Sequence, residues 1–148
     1  MKILIPLFLL VSINCNSQQA NSKMDKVAIP IIESFFTKVA KGESDNAITN
    51  LISGNPNIDL NDSSMIDLRN KFKIINHSVG AFRSKSLIKK RTLNEDISVY
   101  SYLAKYEMKF YRFWFMFYNN DSTISIYKFR FDDDLDVELE ESLKQYTN

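Results

Sequence analysis

The chain has 148 residues, 45% of them hydrophobic, a length that suits one domain with a single core. Its 19 basic and 18 acidic residues leave a formal charge of +1, so no positive excess calls for nucleic acid or an anionic membrane as partner. Three glycines, at positions 42, 54 and 80, are too few for a glycine-rich phosphate loop, and one cysteine, Cys15, permits no intramolecular disulfide.

Residues 1–17 have the layout of a cleavable export signal. One cation, Lys2, precedes the apolar run Ile3 to Val11, and the polar stretch Asn14 to Ser17 follows. A spanning helix needs about 20 apolar residues, roughly twice this run. Signal peptidase prefers small residues three and one positions before its cut. Cys15 and Ser17 meet that, which starts the mature chain at Gln18. Alternatively, Cys15 resembles the lipid-acceptor cysteine of bacterial lipoproteins, with Ser12 and Asn14 standing where a leucine and a small residue are usual. The chain is expected in the periplasm or outside the cell, and at a membrane only if Cys15 is lipidated. Removal of the signal takes Lys2 with it and leaves the mature chain formally neutral.

A polar tether, Gln18 to Lys23, leads into a single domain over 24–148. Val27, Ala28, Ile31, Phe35 and Val39 form one apolar stripe on a predicted helix that Gly42 ends. Pro30 lacks an amide hydrogen and fits a first turn, so the regular helix is expected from about Ala28. Ser44 or Asp45 caps a second, shorter helix through Ala47, Ile48, Leu51 and Ile52, which Gly54 and Pro56 break. Ser63 or Ser64 caps a third, in which Met65, Leu68, Phe72, Ile75 and Val79 step by three and four residues up to Gly80.

After Gly80 the pattern changes to β-favouring runs. Strands are expected at about 82–92, 97–108, 110–118 and 123–131, joined by short turns and therefore antiparallel. Lys85, Lys89, Lys90 and Arg91 read as a solvated strand edge. The third strand leaves neither face polar. Tyr111, Phe113, Phe115 and Phe117 are expected under the helices, while Phe110, Arg112, Trp114, Met116 and Tyr118 face the other way. A second copy of the chain is the simplest cover for that face, so a homodimer through the sheet is expected.

The tail is acidic from Asp132 to Glu141, with Leu135, Leu139 and Leu143 interleaved, and reads as a short terminal helix whose acids sit at its start. Asp132, Asp134 and Asp136 have the first spacings of a calcium loop. Val137 and Leu143 then stand where that loop needs glycine and glutamate, so no metal is expected.

Three helices followed by a curved, four-stranded antiparallel sheet make an α+β, cone-like architecture. In the helix ending at Lys41 and Gly42, the turn at Gly80 and the aromatic block Phe110 to Tyr118, the chain resembles the nuclear transport factor 2-like superfamily, over about Met24 to Phe131. That superfamily includes ketosteroid isomerases, SnoaL-type polyketide cyclases and small secreted bacterial domains. The resemblance implies a pocket between sheet and helices, where isomerase and cyclase members use carboxylates with a tyrosine or histidine. The corresponding candidates here are His77, Tyr100, Tyr102, Tyr106, Glu107 and Arg112. None matches a catalytic position residue by residue, so no catalytic role is carried over.

Two functions follow. The favoured one is a non-catalytic envelope module that holds a small apolar ligand or a protein, with those residues as polar points in an aromatic wall. The alternative is an isomerase, dehydratase or cyclase acting on a hydrophobic molecule through His77 or Glu107. No cofactor is implied by either.

Overall fold

The computed structural model describes residues 22–136. The export signal, most of the tether and the acidic tail beyond Asp136, including the expected terminal helix, lie outside the described residues. Three helices, α1 (Lys23–Ala40), α2 (Ser44–Ile52) and α3 (Ser63–Ser78), precede β1 (Phe82–Thr92), β2 (Ile97–Tyr106), β3 (Phe110–Asn119) and β4 (Ile124–Asp132). The strands follow chain order in one open antiparallel sheet, so the molecule is the expected α+β arrangement of helices and sheet.

Helix α1 starts at Lys23, five residues before the expected Ala28, and Pro30 lies inside it. A capping box fixes this start: the Asp25 amide donates to Ser22 Oγ and the Ser22 amide donates to Asp25 Oδ2, both at 3.2 Å. Met24 and Ala28 bury on the same face as Ile32, Phe35, Phe36 and Val39. Packing on both sides of Pro30 therefore outweighs its missing hydrogen bond, and the ring itself stays exposed. Gly42, at φ +77°, takes the left-handed conformation that turns the chain toward α2.

The caps of the other two helices also differ from expectation. Glu43, which makes no side-chain cap bond, precedes α2. Ser44 is instead buried in its first turn, where its hydroxyl accepts Nδ2 of Asn76 on α3 at 2.5 Å. Asp62, one residue earlier than expected, caps α3 by accepting the Ser64 amide at 2.7 Å.

Phenylalanine fills the space between helices and sheet. The Phe35 ring lies 5.2 to 5.7 Å from Phe36, Phe72, Phe113, Phe115 and Phe129, the range of favourable aromatic pairs. Tyr111, Phe113, Phe115 and Phe117 are all buried on the helix side, as the alternation in β3 predicts.

The basic run of β1 is not a uniformly solvated edge. Lys85 and Lys90 turn toward the helices because acids of α1 meet them there. Lys85 pairs with Glu33, and Lys90 Nζ donates to Asp25 Oδ2 at 2.6 Å. Lys89 and Arg91, opposite Ser101 and Val99, point to the other side.

Candidate docking face on the outer side of the sheet

Directly opposed residues in an antiparallel ladder point to the same face. The ladders β1·β2, β2·β3 and β3·β4 therefore assemble the outer face in rows. One row runs Lys89, Ser101, Trp114, Arg130 from β1 to β4, and the next runs Arg91, Val99, Met116, Lys128. Leu103 opposite Arg112 extends the face at one end and Ile97 opposite Tyr118 at the other. The result is a furrow. Its floor on the two central strands is mostly apolar, and both edge strands wall it with cations spaced two residues apart.

The floor is partly open. Trp114 and Met116 are half-buried, whereas Tyr118 is 42% and Tyr127 63% exposed. A register shift between Met116 and Phe117 leaves Tyr127 as an extra residue opposite this point, and its ring meets Tyr118 edge-on at 6.2 Å. Ile97, Met116, Tyr118 and Tyr127 together line an open-mouthed cavity of about 380 Å³. Arg130 lies over the Trp114 ring, 4.7 Å from its centroid. At the Leu103 end Arg112 donates to Asp132 Oδ2 at 3.0 Å, which anchors the last residue of β4 to this side of the sheet.

The six residues singled out from the sequence divide among three surroundings, and only Arg112 belongs to this face. Tyr100, Tyr102 and Tyr106 lie on the inner side of β2 among the core rings. Tyr100 Oη donates to Asp25 Oδ1 at 2.6 Å. Burial would raise the Asp25 carboxyl, but hydrogen bonds from Lys90, Tyr100 and Ser22 outweigh it and hold the group below its ordinary value. Burial and the Asp25 carboxylate push the Tyr100 phenol far above its usual range. This carboxylate is thus occupied on both oxygens and ties α1 to β1 and β2.

Burial likewise raises the Tyr102 phenol, with the Glu33 and Asp25 charges adding to it. Lys85 Nζ lies 5.2 Å from the Tyr102 ring centroid. The Tyr106 hydroxyl is buried with no hydrogen-bond partner among the described residues, and burial raises the phenol well above its usual range.

His77 is exposed in the last turn of α3, beside a cavity of about 300 Å³ whose walls include Lys41, Ser44, Asn76 and Gly80. Glu107 reaches the same neighbourhood, but its Oε2 accepts the Ala81 amide at 3.1 Å and its Oε1 pairs with Arg83. Both Glu107 oxygens are thus engaged by the Ala81 amide and Arg83, and the groove beside His77 is lined by polar as well as apolar residues.

Among the described residues no group of three or more His, Cys, Asp or Glu is placed to hold a metal ion. No described helix is long and apolar enough to cross a membrane. Sequence reasoning reached Arg112, Trp114, Met116 and Tyr118 but missed the walls. The available signal was the two-residue spacing of Lys89 with Arg91 and of Lys128 with Arg130. No family model, no curated protein and no solved structure matches the chain, so the reading of this face rests on its own geometry.

Proposed function

We propose that the chain is an exported, non-catalytic binding module of the cell envelope and that it works through the outer face of its sheet. The observation that supports this is the furrow, an apolar floor on β2 and β3 walled by cations on β1 and β4. Such a surface suits a protein segment with one apolar stripe and acids along its flanks. The floor supplies burial, the walls set orientation, and the cavity at Met116 and Tyr127 takes a bulky side chain. A homodimer through this face would bring positive walls against positive walls, so an acidic partner is preferred over a second copy.

The likeness to the nuclear transport factor 2-like superfamily enters as part of the same proposal. The order of helices and strands is kept, the interior is filled by phenylalanine, and binding moves to the outside of the sheet.

The test replaces Tyr127 with a photo-cross-linking residue in cells that export the chain, with Ser34 on the helical side as control. A protein adduct from Tyr127 and none from Ser34 is expected. No adduct from Tyr127, or equal adducts from both sites, contradicts the proposal. The mass of the recovered chain reads its processing: a start at Gln18 or a lipid on Cys15 agrees with export, and retention of residues 1–17 does not.

A further inference from the structure

We infer that the resident occupant of the furrow is the chain's own C-terminal segment, residues 137–148, which any external partner must displace. The inference rests on the docking role proposed for this face. Charge is the first argument. The segment carries three acids, Glu138, Glu140 and Glu141, directly after Asp132, Asp133, Asp134 and Asp136, and the face it adjoins is walled by Lys89, Arg91, Lys128 and Arg130.

Pattern is the second. At 100° per residue, Leu139, Leu143 and Tyr146 would share one stripe of a helix, with Glu138 and Glu140 on its opposite flanks. An apolar stripe with an acid on each side is the complement of an apolar floor with cations on each side.

Reach is the third. The chain leaves β4 at Asp132, which Arg112 already holds on the outer side. Three inter-strand spacings make the sheet about 14 Å wide. Twelve residues would extend about 18 Å as a helix, enough to cross from β4 to the cations of β1. A tail docked in this way acts as an internal stand-in for the acidic partner, so that binding is an exchange of one acidic stripe for another.

The single tryptophan, Trp114, lies on the furrow floor and reports its cover. The test measures Trp114 emission and acrylamide quenching in the full exported chain and in its Leu139→Asp/Leu143→Asp variant. A red shift and stronger quenching are expected in the variant. They should be independent of protein concentration and be reversed by a synthetic peptide of residues 133–148. Equal quenching in both chains overturns the inference, and so does protection of the parent chain that disappears on dilution, since that identifies a second copy as the cover. If the parent is unprotected but the added peptide still shields Trp114, the internal cover is wrong and the docking face stands. If the peptide shields Trp114 in neither chain, both fall.

Discussion

Arg130 and Trp114 are direct partners across β3 and β4, and the guanidinium sits 4.7 Å from the indole centroid. The contact lies on the side of the sheet away from the helices, where the largest side chain in the protein forms the furrow floor. A cation in one wall thus holds a ring of the floor, which couples the two chemical features of this face.

Arg130→Ala should cost little stability, about 0.5–1 kcal/mol for a partly exposed cation–π pair, and should shift Trp114 emission without altering secondary structure. Urea unfolding followed by emission and by circular dichroism checks both. A loss several times larger would mean that the pair is part of the core.

Asp25 gives a pH-dependent prediction. Its carboxyl is held below its unfolded value by Lys90, Tyr100 and Ser22 acting against burial. Its contribution is therefore complete above the ordinary aspartate pKa near 4 and declines as pH falls through the lower folded value. Asp25→Asn should lose about 2 kcal/mol at neutral pH, with the gap from the parent closing in strongly acidic solution. Tyr100→Phe, which leaves Oδ1 unpaired, should lose about 1–2 kcal/mol. Denaturant titrations at a series of pH values provide the measurement.

The aromatic interior predicts a different scale. Phe35 is 1% exposed and touches five other rings, so Phe35→Ala should cost about 3–5 kcal/mol through the cavity it leaves. Tyr127→Ser on the furrow should stay within about 0.5 kcal/mol of the parent. Similar losses at the two positions would contradict the division into a structural inside and a working outside.

Gly80 joins α3 to β1 at φ +78°. A Cβ there would lie 2.5 Å from Glu107 Oε2 and 2.8 Å from Glu107 Cβ. Gly80→Ala should therefore lose more than about 1 kcal/mol, from backbone strain and from the displaced clasp. Adding Glu107→Ala should recover only the share of that loss due to the carboxylate, because alanine keeps the Cβ at 2.8 Å, and a double-mutant cycle of unfolding free energies measures the coupling.

The helix order and the inner face of β3 were legible because period and burial coincide there: Tyr111, Phe113, Phe115 and Phe117 alternate without a break. The start of α1 was legible in principle, since Ser22 and Asp25 carry the spacing of a capping box. Pro30 pointed to a later start, and only the burial of Met24 and Ala28 resolves that conflict. The inward turn of Lys85 and Lys90 was not legible, because their partners Glu33 and Asp25 lie on another element. The furrow walls needed the register of three ladders, which aligns residues as far apart in sequence as Lys89 and Arg130.

The outer face as the working surface is tested most directly by repeating the Tyr127 cross-link in a Met116→Glu chain. Met116 lines the furrow cavity and is absent from the core cluster. The account predicts that the adduct is lost while the unfolding midpoint is unchanged, and that His77→Ala and Glu107→Ala leave the adduct intact. An adduct that survives Met116→Glu but disappears with His77→Ala would contradict it and return the function to the groove at the end of α3.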